Sequence, residues 1–124
     1  MDCPNCRTAL DEIYTAEGVV VDFCPSCKGT WYDHGELLFF SQRPRHLKSL
    51  LEEPLLSPKP SERRCPRCQI PLEQGGFGSR NLFVDHCPHC KGLWLDAGER
   101  AKLDQVAATR LVASVDRGAR FSTQ

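Results

Sequence analysis

All eight cysteines of this 124-residue chain fall in four C-P-x-C pairs: Cys3/Cys6, Cys24/Cys27, Cys65/Cys68 and Cys87/Cys90. Residues 7–23 separate the first two pairs and residues 69–86 the last two, inside the window of about 15–20 positions that reads as a zinc site. Structural zinc takes four ligands in a tetrahedron, and thiolates satisfy it. Two residues between paired cysteines let one tight turn present both sulfurs to one ion while its amides point at them. The spacing therefore assigns Cys3, Cys6, Cys24 and Cys27 to one zinc ion, and Cys65, Cys68, Cys87 and Cys90 to a second. Lys28 and Lys91 are placed to offset part of the charge of each thiolate centre, and Gly29 and Gly92 are expected at turn positions with positive φ. Iron could occupy the same tetrahedral thiolates, and the sequence does not separate the two metals. A redox C-x-x-C usually occurs once, at the start of a helix in a βαβ unit. Four pairs that combine in twos argue against that use.

Other residues in the same stretches invite chemistry. Trp31 and Trp94 could stack on nucleic-acid bases, but a ribbon this small needs a large side chain over its metal site, and burial is the stronger reading. Asp33/Glu36 and Asp96/Glu99 resemble paired active-site carboxylates, yet their three-residue spacing is that of a helix capping box in an Asp variant. His34, His86 and His89 lie beside the motif, but each unit already has four cysteines, so they are expected at the surface or behind the ligands. Arg43, Arg45, His46, Lys48, Arg63, Arg64 and Arg67 could touch phosphates, although solvated connectors carry such charges without a partner. No zinc position is left open and no nucleophile–base pair is visible, so no enzyme activity and no small-molecule substrate are expected.

These groups need elements to hold them. Ile13 and Tyr14 suggest one strand and Val19 to Phe23 another, joined at Glu17-Gly18, with a third short strand at Thr30 to Tyr32. Asp33 should cap a helix that starts with Leu37, Leu38, Phe39 and Phe40. Pro44 should interrupt it, after which Leu47, Leu50 and Leu51 mark one face of a short amphipathic helix. Pro54, Pro58 and Pro60 then predict a semi-extended linker, with the domain boundary between Glu53 and Arg63.

The second unit repeats the first after 62 to 63 residues, and its one extra residue is expected in the hairpin tip near Gly78 to Asn81. From Asp96 a longer helix is predicted, with Leu103, Val106, Ala107, Leu111, Val112 and Val115 on its apolar stripe and Gly118 as its stop. The expected fold is a small, metal-stabilised α+β arrangement: two tandem zinc ribbons, each a β-hairpin with two zinc knuckles followed by an α-helix. The corresponding divisions are 1–42 for the first ribbon and helix, 43–63 for a helical, Pro-rich connector, 64–118 for the second ribbon and C-terminal helix, and 119–124 for a flexible tail.

Sixteen basic residues balance sixteen acidic ones, so no overall field draws the chain to nucleic acid or an anionic membrane. The charge is uneven: residues 1–40 hold Arg7 and Lys28 against seven acidic residues. No charged n-region and apolar run precede Cys3, and no apolar run approaches a membrane span. A cytoplasmic location is the expectation, where thiols stay reduced and paired cysteines serve metals rather than disulfides.

The repeated C-P-x-C, then C-P-x-C-K-G-x-W-x-D-x-G-E, resembles the bacterial zinc-finger family named after the zinc ribbon of the transcription factor TFIIB. The resemblance covers residues 3–37 and 65–100; His34 and Arg100 depart from the small and aliphatic residues expected there. It implies a zinc-ribbon fold, zinc at the eight cysteines and a nucleic-acid-binding or transcription-related role. The leading expectation is thus a non-enzymatic adaptor with structural zinc whose partner is nucleic acid or a transcription-related protein. The alternative is a protein-interaction module, self-associating or binding another protein through its apolar helices without touching nucleic acid.

Overall fold

The computed structural model describes residues 1–79, 81–103 and 105–106. In chain order its strands are β1 (Asp11–Tyr14), β2 (Val20–Phe23), β3 (Thr30–Tyr32), β4 (Leu56–Arg64), β5 (Pro71–Gly76), β6 (Phe83–His86) and β7 (Leu93–Leu95), with one α-helix, α1 (Pro44–Glu52), between β3 and β4. Residues 99–103 and 105–106 are also helical.

Each half builds a three-stranded meander in the same register. Glu12 pairs with Asp22 and Asp22 with Trp31; Gln74 pairs with Asp85 and Asp85 with Trp94. The β-branched Val20 and Val21 suit the pleated backbone, and Gly18 supplies the positive φ at the hairpin tip. The halves then join edge to edge, because β3 pairs antiparallel with β7, Trp31 opposite Trp94. One seven-stranded sheet results, in the order β1-β2-β3-β7-β6-β5-β4.

Two elements differ from the sequence expectation. The first motif is followed not by an α-helix but by a five-residue 3-10 turn, Glu36–Phe40. Pro44 pushes Arg43 out of the helical region, at φ −134 and ψ 64, so the run has no room to propagate. The second motif meets no proline, and Ala101, Lys102 and Leu103 are good helix formers. Its predicted stripe from Ala107 to Val115, the stop at Gly118 and the tail 119–124 lie outside the described residues.

The Pro-rich stretch expected as a semi-extended linker is β4, hydrogen-bonded along β5. Prolines are admissible there because β4 is an edge strand, and register shifts between Leu56 and Lys59 and between Pro60 and Arg64 absorb the rest. A Cβ on Gly75 would lie 2.7 Å from that of Leu55, so the β5 glycines let β4 come close.

Strand alternation sends side chains to two faces, and each face has its own core. On one, Val21, Tyr32, Val84, Leu93 and Leu95 meet Leu37, Leu47, Leu50 and Leu103 of the turn and helices. The stripe predicted from Leu47, Leu50 and Leu51 is the buried side of α1, with Leu47 and Leu50 inside and Leu51 at the margin, and Pro44 stands at its first turn, where its missing N–H costs nothing. On the other face, Trp31 and Trp94 meet Leu72 and the cysteines. Among the described residues no helix is long and apolar enough to cross a membrane.

Candidate metal centres

Four thiols gather at each of two places. The Sγ atoms of Cys3, Cys6, Cys24 and Cys27 lie within 4.8 Å of one another, as do those of Cys65, Cys68, Cys87 and Cys90. Each pair sits on a turn closed by backbone hydrogen bonds: the Cys3 amide donates to the Thr8 carbonyl at 2.7 Å and the Cys65 amide to that of Ile70 at 2.8 Å. Within the turns, amides reach back to sulfur, Cys6 N to Cys3 Sγ at 3.2 Å and Cys68 N to Cys65 Sγ at 3.3 Å.

The donor sets fit zinc. Tetrahedral thiolates at about 2.3 Å from the ion stand about 3.8 Å from each other. Cys3 and Cys27 Sγ are 3.8 Å apart, and Cys65 and Cys90 Sγ are 3.7 Å apart. The electrostatics also call for a cation. Burial, with the neighbouring thiols, pushes Cys3 up to about 12. Cys24 is also desolvated, yet the amides of Cys27 and Ser26 and hydrogen bonds with Cys3 and Cys27 bring it down to about 6. In the second set burial raises Cys65, and amides and neighbouring thiols lower Cys87. Within each set one thiol is thus lowered while its partner is raised, Cys24 against Cys3 and Cys87 against Cys65. A divalent ion accepting all four as thiolates relieves that conflict. Each group could hold one zinc ion. No histidine joins either cluster: His34 and His89 are exposed and His86 is half-buried.

The rest of the repeated motif locks the halves together. Trp31 and Trp94 are fully buried, and each covers the knuckle of the other half. A Cβ added to Gly29 would lie 2.3 Å from Trp94 Cζ2, and one added to Gly92 would lie 2.2 Å from Trp31 Cζ2. The glycines therefore do not serve the positive φ expected of them. That conformation falls one residue earlier, on Lys28 and Lys91 (φ 67 and 66), and at the same place in the other knuckles, on Arg7 and Gln69. Glycine is required because a tryptophan of the opposite half rests where its side chain would be.

Asp33 and Asp96 also work differently from expectation. Only the backbone half of the capping box forms: the Asp33 and Asp96 amides donate to Glu36 and Glu99 Oε1, both at 2.7 Å. The turn after Asp33 has no side-chain cap. The aspartate carboxylates instead accept from the indoles, Trp31 Nε1 to Asp33 and Trp94 Nε1 to Asp96, both at 3.1 Å. Each also takes an arginine: Arg67 grips Asp33 through Nε and Nη2, and Arg63 Nη1 reaches Asp96 at 3.1 Å.

The same guanidiniums serve the acids buried in the strands. Arg63 Nη1 lies 2.9 Å from Asp85 and Arg67 Nη2 lies 3.7 Å from Asp22. Burial raises both carboxyl groups, and the arginines oppose it. Arg67 belongs to the second half and binds the first. Its counterpart Asn5 has no charge, and Arg63 does the corresponding work while bonding Asn5 Oδ1 at 3.3 Å. These two arginines, which the sequence offered either as phosphate contacts or as solvated connector charges, are internal clamps. The signal that pointed to them was Asp22 and Asp85, acids at matching positions within apolar strands, where an unpaired charge is costly.

The family described as transcription factor zinc-finger, Zn_ribbon_TFIIB, matches residues 2–39 and 64–105. No curated protein and no solved structure matches the chain. The two stretches take in β1–β3 and β5–β7 and cover well over half of the sequence, so this chain belongs to the transcription factor zinc-finger family, in two tandem copies.

Proposed function

We propose that this family member is a non-enzymatic adaptor in transcription-related assemblies, binding protein rather than nucleic acid, with its eight cysteines holding two structural zinc ions. The observation that carries this reading is how the motif's reactive-looking groups are spent. Trp31 and Trp94 have no exposed surface on which a base could stack. Arg63 and Arg67 are committed to Asp85, Asp96, Asp22 and Asp33. Four thiolates around each ion would leave no coordination position for a water or substrate, the arrangement of structural rather than catalytic zinc. The aspartate and glutamate pairs hold indoles, guanidiniums and amides in place of a reacting group. Among the described residues the helices add no free apolar stripe to this reading, because Leu47, Leu50 and Leu103 pack on the sheet.

Direct nucleic-acid contact is the competing outcome, and salt separates the two. The zinc-loaded chain is titrated against labelled duplex DNA, single-stranded DNA and RNA at 50 and 200 mM salt. The expected result is no binding tighter than the non-specific range of roughly 10⁻⁴ to 10⁻⁶ M at physiological salt. Saturable nanomolar binding that weakens steeply with salt would overturn the proposal.

A further inference from the structure

The two halves of the sheet match residue for residue except at their outer edges. The β1–β2 pairs Asp11/Phe23, Glu12/Asp22, Ile13/Val21 and Tyr14/Val20 correspond to Glu73/His86, Gln74/Asp85, Gly75/Val84 and Gly76/Phe83 of β5–β6. The bridge between Asp2 and Ala9 corresponds to Arg64 opposite Pro71. Beyond that bridge β5 is covered by β4, with Pro60, Lys59 and Leu56 opposite Glu73, Gln74 and Gly76. The equivalent lane beside Asp11, Glu12 and Tyr14 holds no strand among the described residues, because β1 ends the sheet.

We propose that this free edge of β1 receives an extended, basic segment of a partner protein as an added strand, as β4 covers β5; the proposal rests on the protein-adaptor reading. Three features support it. First, the backbone is presented correctly. The Thr15 amide bonds the Val19 carbonyl at 3.0 Å, and alternation along an antiparallel pair then turns the N–H and C=O of Glu12 and Tyr14 outward. Second, the edge is open, and what guards it against indiscriminate pairing is its acidic pair, Asp11 and Glu12. It carries no proline, lysine or bulge, all four of its residues are exposed, and Ile13 and Tyr14 add apolar surface at 40% and 76% exposure. Strand addition takes its affinity from such main-chain groups and its specificity from side chains.

Third, the charge names the occupant. Asp11 and Glu12 lie on β1 in a half of the molecule with excess acid, whereas β4 carries Lys59, Arg63 and Arg64 against Glu62. A second copy pairing through its own β1 would set acid against acid.

The test is a titration of the ¹⁵N-labelled, zinc-loaded chain with a capped synthetic peptide bearing the sequence of residues 55–64, followed by NMR. Saturable shifts centred on residues 10–15 are expected, with slowed exchange of the Glu12 and Tyr14 amides. A peptide with Lys59→Glu, Arg63→Glu and Arg64→Glu should bind about tenfold more weakly or less. The protein variant Glu12→Pro, which removes an outward N–H and leaves the β1–β2 ladder intact, should do the same. If Glu12→Pro fails to load zinc, the double variant Asp11→Lys, Glu12→Lys tests the charge alone.

No saturable shift at residues 10–15, equal affinity for both peptides, or shifts that track self-association would overturn the proposal. Oligonucleotide binding that leaves these amides unmoved counts against the adaptor reading. A silent peptide titration in a chain that ignores oligonucleotides counts against the edge alone.

Discussion

Gly29→Ala adds one methyl group and should be among the costlier small substitutions in the molecule. Gly29 does not have a positive φ, so alanine brings no backbone strain, and only the new Cβ matters. That atom would stand 2.3 Å from Cζ2 and 2.8 Å from Cη2 of Trp94, where ordinary carbon contacts begin near 3.5 Å. The indole must move by about 1 Å, yet it is fully buried and pinned by its Nε1 hydrogen bond to Asp96. Overpacking of this kind costs about 1–3 kcal/mol, and the pinned ring puts the expectation near 2–3. Urea unfolding of zinc-loaded protein at fixed free zinc measures it, and each kcal/mol should also lower the melting temperature by about 4 °C.

Two controls isolate the cause. Trp94→Phe removes the clashing ring atoms, so Gly29→Ala should cost at least about 1 kcal/mol less in that background. Gly18→Ala, at φ 83 with nothing near its Cβ position, should lose only the roughly 1–2 kcal/mol of left-handed backbone strain. A Gly29→Ala cost below about 0.5 kcal/mol, or one unchanged by Trp94→Phe, would refute the tryptophan exchange between halves.

Other expectations follow from the same contacts. Leu47→Ala removes a side chain 1% exposed and should cost about 2–5 kcal/mol, whereas Phe39→Ala, 63% exposed, should stay within about 0.5; equal costs in urea melts would place α1 off the sheet. Arg63→Ala leaves the Asp85 carboxylate buried without its cation. Burial already raises that carboxyl, so the penalty is present above its folded pKa and lifts as pH falls through it. The loss relative to wild type should therefore shrink as pH is lowered from 7.5 towards that pKa, and a loss that grows instead would contradict the ion-pair account. Chelation should unfold the sheet, since structural zinc contributes about 10–16 kcal/mol in finger peptides, and elemental analysis should find one ion for each of the two thiol groups; native circular dichroism without metal would reject this.

The sulfur sets were legible because ligand spacing is local: a knuckle is a few residues, and its partner follows one hairpin later. Hairpin strands and the leucine face of α1 were legible for the same reason. What joins the halves was not, because it depends on residues far apart in sequence, 34 positions for Arg67 and Asp33 and some 60 for each glycine and its tryptophan. Nothing near Gly29 announces Trp94, and nothing near Arg67 announces Asp33. The turn at Leu37 looked like a helix because its cap chemistry is partly present, and Pro44 decided otherwise. The prolines of β4 looked like a linker because Pro excludes itself from central strands. They did not reveal that this strand lies at an edge.

The exchange of tryptophans has a consequence for metal uptake. Each indole is anchored in one half and forms the roof of the metal loop in the other, so an ion entering the first site also steadies the ring above the second. By reciprocity the second must help the first equally. Loading should then be cooperative, with singly loaded chains scarce at half-saturation, and Trp31→Phe should weaken binding at Cys65, Cys68, Cys87 and Cys90, the distant set.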